Sequence, residues 1–209
     1  MYNIITVIIA NNHEYLQECI DSSINPIIIY DGIEPLDNNC PIFTCNSGRS
    51  SIAKNLALSK IDKSPETFIQ FLDYDSFLSP TYYEVVKPII ENNPDYDLFY
   101  TDYSIKNEEL NFINREYVGS IGPELKRENF NKIKNPLVRS SVFTKIKFND
   151  DMSIFEYIDL ITKIKRSKCY HIPKNLQTIR LHAKSLSRLI RQEETLRSFK
   201  LIDWDKING

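Results

Sequence analysis

The sequence predicts an α/β fold: a single domain on one doubly wound, mostly parallel central sheet, with a small antiparallel element in its second half. Three observations lead there. Short strand-like runs alternate with helical stripes from the first residues onward, the order that winds helices over both faces of a parallel sheet. The 209 residues suffice for one full-sized core and are too few for two comfortable domains. Asp73-Tyr74-Asp75 follows directly on the apolar run Thr67–Leu72, so two carboxylates emerge at the carboxyl end of a buried strand, where open α/β sheets bind ligands.

The elements follow in order. Ile4–Ala10 is a β-branched run bounded by Asn11-Asn12, and Leu16, Cys19, Ile20 and Ser23 continue it at helical spacing. Ile27–Tyr30 reads as a second strand closing at Asp31-Gly32, and Pro41–Cys45 as a short third. Ser50 or Ser51 can cap the next helix, whose apolar stripe is Ala53, Leu56 and Ala57. After the strand ending at Asp73, Ser79-Pro80 predicts an N-cap and first-turn proline for a helix through Tyr83, Val86 and Ile90 that Pro88 should bend or shorten. Leu98–Tyr103 and Phe112–Val118 read as partly antiparallel strands around Lys106–Glu109, and Gly119–Pro123 as a loop. A helix through Ile154, Ile158 and Ile161 follows, then two strands, Tyr170–Ile172 and Gln177–Leu181. A basic helix from Ser187 to Lys200 completes the chain.

Composition narrows the class. The chain is 42% hydrophobic and 26% charged, and no apolar stretch is long enough to span a bilayer. The N-terminus lacks a basic region ahead of Ile4–Ala10 and reads as a first strand rather than a signal peptide. Cys19, Cys40, Cys45 and Cys169 form no Cys-x-x-Cys pair, so the expectation is a reduced, cytoplasmic setting without zinc. Only five glycines occur, which excludes the glycine-rich phosphate loops of dinucleotide-binding and P-loop enzymes. What remains is a metal-dependent user of a nucleotide diphosphate through carboxylates.

Charge is asymmetric. The net charge is −2, yet Lys163 to Lys200 carries eleven Lys/Arg against two acids. This segment is either a solvated helix face or, through Arg188, Arg191 and Arg197, an attraction for a diphosphate or an anionic membrane surface. The Asp-x-Asp pattern recurs at Asp95/Asp97 and Asp203/Asp205. The first of these precedes its apolar run and the second lies in a polar tail, so Asp73/Asp75 is the functional choice.

In order and spacing these segments resemble the family 2 glycosyltransferases with the A-type (GT-A) fold. Thr6–Asn12 with Tyr15-Leu16 and Cys19–Ser22 looks like the family's opening strand and first helix; Ile28–Gly32 looks like its second strand ending in an acid. Gly48 with Ala53-Lys54-Asn55 resembles its Gly…Ala-Arg-Asn helix, and Phe71–Asp75 with Pro80 its Asp-x-Asp segment. The carboxyl third matches more loosely, through Glu156–Leu160 and Arg180-Leu181-His182…Ser185…Ser187.

The resemblance implies hexosyl transfer from a nucleotide diphosphate sugar, a UDP-sugar above all, to a glycan, lipid-linked or protein acceptor, with inversion and with Mn²⁺ or Mg²⁺. No nucleic-acid partner is expected. By analogy residues 1–103 form the nucleotide-binding half and residues 104–209 the acceptor side. Ala10, Asn11, Asn12, Asp31, Lys54, Asp73 and Tyr74 would line the nucleotide, with Asp75 and His182 on the metal. Asp31 has two readings, an acceptor for the uracil imide N–H or an Asp-Gly turn. His182 likewise is a metal ligand or a polar surface residue, and Arg180, Ser185 and Ser187 could meet phosphate oxygens.

Two positions depart from the family. Lys54 replaces an arginine, exchanging a planar fork for a point charge, with Arg49 as a possible substitute. Tyr157 stands where the family carries its catalytic aspartate, and a phenol with a pKa of about 10 is a poor base at neutral pH. The candidate bases are then Glu156 and Asp159, on one helix face by their spacing, although Ser153–Glu156 also reads as a capping box. A non-catalytic nucleotide-sugar-binding or scaffold domain and a retaining transferase are the competing readings.

Overall fold

The computed structural model gathers the predicted strands, together with two that the sequence reading did not include, Ser76–Leu78 and Leu137–Arg139, into one 9-stranded sheet among the described residues. It describes residues 2–116, 118, 133–152, 155–164, 168–183, 185, 198 and 200–202. Strands β1 (Asn3–Ala10), β2 (Pro26–Asp31), β3 (Ile42–Cys45) and β4 (Thr67–Asp73) form a parallel half in the order β3-β2-β1-β4. β5 (Ser76–Leu78), β6 (Leu98–Lys106), β7 (Phe112–Glu116), β8 (Leu137–Arg139) and β9 (Cys169–Arg180) extend it. β8 runs antiparallel between β4 and β6, which restores the common direction in β6 and β9; β5 and β7 oppose it. The sheet is therefore mostly parallel, with the antiparallel element in its second half.

Strand alternation divides the core into two layers. Ile4 and Ile8 of β1, with Phe68 and Leu72 of β4, face α1 (Leu16–Asp21) and α3 (Tyr82–Asn92). Val7 and Ile9, with Ile69 and Phe71, face α2 (Ser50–Lys60) and α4 (Glu156–Lys163). Each fully buried Ile, Leu or Phe here contributes about 1.5–3 kcal/mol. Helices on both faces make the sheet doubly wound. Among the described residues no helix is long and apolar enough to cross a membrane.

The structure corrects several local expectations. Ser50 and Ser51 do not cap α2: the N-cap is Arg49, while Ser50 Oγ donates to Glu156 and Ser51 Oγ to the Met152 carbonyl. Helix α3 starts after Thr81 and continues through Pro88 to Asn92, because the buried stripe Tyr82, Val86 and Ile90 outweighs one missing backbone bond. The capping box is absent: Glu156 is the first helical residue and the N-cap is Phe155 with φ 63°. The two expected late strands are one, β9, whose register to β6 shifts between Ile172 and Asn175 so that Pro173 is carried in the irregularity. Ser153, Gly119–Pro123, Ser187, Arg188, Arg191, Arg197, Asp203 and Asp205 lie outside the described residues, so the basic tail's expected role does too.

Candidate active site

Parallel pairing brings the ends of β1, β2 and β4 together: Ala10 aligns with Tyr30 and Ile9 with Asp73. The expected nucleotide residues Ala10, Asn11, Asn12, Asp31 and Asp73 thus share one sheet edge. Ala10 is fully buried and offers only backbone, whereas Asn11 is exposed. Asn12 Oδ1 accepts the Glu14 N–H at 3.0 Å and shapes the turn into α1.

Asp31 sits at a turn, since Gly32 has φ 75°. Its carboxylate nonetheless does more than mark the turn. Oδ1 accepts the N–H groups of Ser47 and Gly48 at 2.6 and 3.1 Å, and Oδ2 accepts the Ser47 hydroxyl at 2.9 Å. The Cys45 thiol lies against the same carboxylate, so its roughly four acceptor directions are largely engaged within the loop.

At the end of β4, Asp73 is followed by the turn Tyr74-Asp75, and β5 then pairs with β9. That pairing delivers His182. Its Nε2 lies 3.0 Å from Asp75 Oδ2 and 3.4 Å from the Tyr74 hydroxyl, across more than a hundred residues of sequence. Arg180 N–H donates to the Asp75 carbonyl, and the His182 N–H donates to Ser185 Oγ at 3.0 Å. The loop is clamped on its far side by Leu181 N–H to the Lys106 carbonyl and by Ala183 N–H to Glu108. Burial, with the Asp73 charge adding and His182 opposing, pushes the Asp75 carboxyl up to about 6. Asp75 and His182 supply an oxygen and an imidazole nitrogen side by side, a pair that suits Mn²⁺. No group of three or more His, Cys, Asp or Glu is gathered among the described residues, so further ligands to a cation here would come from elsewhere.

The alternative Asp-x-Asp copy stands at the opposite end of its strand. Asp97 precedes β6 and takes the Arg139 Nε at 3.1 Å, a structural pairing.

Lys54 points inward. It is fully buried, and its ammonium donates to Glu156 Oε1 and to Ser50 Oγ, both at 2.6 Å, while lying 4.3 Å from the centre of the Tyr157 ring. Burial works against charging Lys54, yet Glu156 overrides it and holds the ammonium's pKa above its usual value. Burial likewise raises Glu156, and Lys54 more than offsets this, so the carboxyl stays below the ordinary range. Asp159, also buried, accepts Lys163 at 2.6 Å. The Tyr157 hydroxyl is buried beside the Lys54 ammonium; burial raises its pKa, Lys54 opposes, and Asp73 and Glu156 add. Both candidate bases, Glu156 and Asp159, therefore already hold a lysine.

A further cluster was not anticipated as a unit. Arg180 lies 4.1 Å over the Tyr15 ring and donates to Glu18 at 2.6 Å, and Tyr15 also packs on His182 with ring centres 5.1 Å apart. Its members come from helix α1 and the end of β9, so no local pattern could reveal it.

Solved structures share this fold. S. aureus TarS 1-349 is 12% identical with a TM-score of 0.65, over 85% of this chain and 60% of that one. The longer S. aureus TarS matches at the same identity and score, over 86% and 37%. S. aureus TarS 1-349 in complex with UDP-GlcNAc is 13% identical with a TM-score of 0.71, over 97% of this chain and 65% of that one. This chain thus spans less than two thirds of each TarS chain. No family model and no curated protein matches the sequence.

Proposed function

We propose that this chain transfers a sugar, a hexose, from a nucleotide diphosphate sugar to an acceptor hydroxyl, with a divalent cation and with inversion. The observation that carries the reading is the meeting of Asp75 and His182 at 3.0 Å beside Asp73, at the carboxyl edge of a parallel sheet. The TarS fold, one example of which holds UDP-GlcNAc, supports a UDP-sugar as donor.

In this reading residues 1–103 bind the nucleotide and residues 104–209 face the acceptor. Asp31 reads the uracil imide N–H, while Asp73 and Tyr74 face the ribose and sugar. Asp75 and His182 would hold Mn²⁺ or Mg²⁺, which would supply positive charge against the departing diphosphate. Arg180 adds a fixed positive charge on the same side. Glu156 or Asp159 removes the acceptor's proton, each at the cost of loosening its lysine. The acceptor is a glycan, a lipid-linked group or a protein. Release of UDP from UDP-hexoses with and without Mn²⁺ tests the reading, and proton NMR of the product's anomeric centre tests inversion. No donor turnover with any UDP-hexose in a folded sample would reject transfer.

A second reading is favoured by two observations. Glu156 is tied to a fully buried lysine and Tyr157 replaces the family's aspartate. A domain that binds the nucleotide sugar without transferring it fits those two facts, and it predicts UDP-sugar binding without UDP release.

A further inference from the structure

We infer that Arg180 is an anion subsite which Glu18 fills in the free protein, so that a phosphate group enters by displacing a carboxylate of helix α1. The inference rests on the donor-binding reading and adds to it a built-in competitor for the diphosphate.

Arg180 is a buried cation on the strand beside Lys106. Its side chain is 4% exposed, yet among the described residues only one of its terminal nitrogens is bonded to a carboxylate, Glu18 Oε2 at 2.6 Å. The Nε is buried with no partner among the described residues. A guanidinium presents five donors in a planar fork and is best satisfied by two oxygens at once. Tyr15 and Phe77 cover the plane, at 4.1 and 5.7 Å from the central carbon, so the fork is held in place while its edge is undersatisfied.

Glu18 differs from Arg180 in one decisive respect. Its side chain is 42% exposed, so it can leave for water at little desolvation cost and marks the route by which an oxyanion reaches the buried edge. The position suits a diphosphate. Arg180 N–H donates to the Asp75 carbonyl, and Tyr15 packs on both the Arg180 guanidinium and the His182 ring. Acids crowd the surroundings. Tyr15 feels Glu14 and Glu108, and Asp75 feels Asp73, so an incoming anion gains most when one of these negative charges withdraws. A phosphate oxygen pair then replaces a single carboxylate oxygen and engages Nε as well.

The test titrates inorganic pyrophosphate in metal-free buffer, and UDP with and without Mn²⁺, into four proteins: wild type, Glu18→Gln, Glu18→Gln with Arg180→Gln, and Asp21→Asn. Asp21 is exposed on the same helix, bonds Gln17 and carries the same charge, so it controls for net charge alone. Glu18→Gln should bind pyrophosphate about fivefold to tenfold more tightly than wild type, the range for exchanging one charge-assisted bond. Asp21→Asn should stay within about twofold, and the double variant should lose the gain. The free Glu18→Gln protein should melt lower and recover with pyrophosphate, because a ligand bound only by the folded state stabilises it. A Glu18→Gln affinity equal to or below that of Asp21→Asn overturns the subsite, as does a gain that survives Arg180→Gln. The two readings separate cleanly. A pyrophosphate gain without UDP binding keeps the subsite and removes the nucleotide donor; UDP binding without the gain does the reverse.

Discussion

Replacing Lys54 by methionine removes one half of an ion pair that has no access to water on the lysine side. Lys54 is fully buried, Glu156 is 8% exposed, and the charged atoms are 2.6 Å apart. At an effective dielectric of about 20 their attraction is about 6 kcal/mol, most of which offsets the cost of burying two charges. Truncation therefore does not remove 6 kcal/mol; it leaves Glu156 charged and unpaired, which costs about 3–5 kcal/mol. The ammonium's contact with the Tyr157 ring at 4.3 Å adds up to about 2 kcal/mol. Such a loss is a large share of a domain's usual stability of about 5–15 kcal/mol.

The pH dependence carries the sign. In the wild type the Glu156 pKa is lowered on folding, so its stabilisation is present above the unfolded carboxylate value and is lost as pH falls through the folded one. Without Lys54 the burial contribution, the largest, is opposed by just a backbone hydrogen bond and Lys134, so the pKa moves up and protonation relieves the variant as pH falls from 7 towards 4. Urea unfolding at several pH values should show a deficit of about 3–5 kcal/mol at pH 7 that narrows towards pH 4, with Lys54→Met/Glu156→Leu recovering part of it. A deficit under about 1 kcal/mol at pH 7, or one that does not change with pH, would refute the buried pair as a source of stability.

Three further outcomes are expected. Asp31→Ala should weaken UDP binding by about 1–3 kcal/mol while changing GDP binding little, and it should also loosen the Ser47–Gly48 loop; equal losses for both nucleotides would assign Asp31 to the loop alone. Tyr157→Phe should leave the melting temperature unchanged or raise it, because the deleted hydroxyl is buried and has no close hydrogen-bond acceptor among the described residues; a clear drop would show that it has a partner, with Lys54 the nearest. Glu156→Gln should retain UDP-sugar binding and lower transfer by about two to four orders of magnitude if Glu156 is the base, whereas loss only in Asp159→Asn moves the base one turn along α4.

The first half of the fold was legible because its strands are local apolar runs separated by turn residues. Ile4–Ala10, Ile27–Tyr30 and Thr67–Leu72 all appear where the pattern puts them, and the strand-end rule alone selected Asp73 over Asp97. Errors arose where tertiary packing overrode a local signal. The strands expected at Tyr170–Ile172 and Gln177–Leu181 are joined across Pro173 through a register shift; Pro88, expected to bend or shorten its helix, is carried by the buried face of α3. The capping-box pattern at Ser153–Glu156 gave way to a left-handed residue, Phe155, directly before α4. Pairings across great sequence distance left no trace to read. Lys54 with Glu156 and Arg180 with Glu18 are 102 and 162 residues apart, and each changes the role that its residue type suggested.

The central claim is that the end of β4, with His182 brought beside it, binds a nucleotide diphosphate through a divalent cation. Calorimetric titration of UDP into the wild type and Asp75→Asn, with and without Mn²⁺, tests it most directly. The account predicts Mn²⁺-dependent binding by the wild type that Asp75→Asn abolishes while Asp97→Asn, folded by circular dichroism, retains it. UDP binding that is indifferent to Mn²⁺, or equal in wild type and Asp75→Asn, would contradict it.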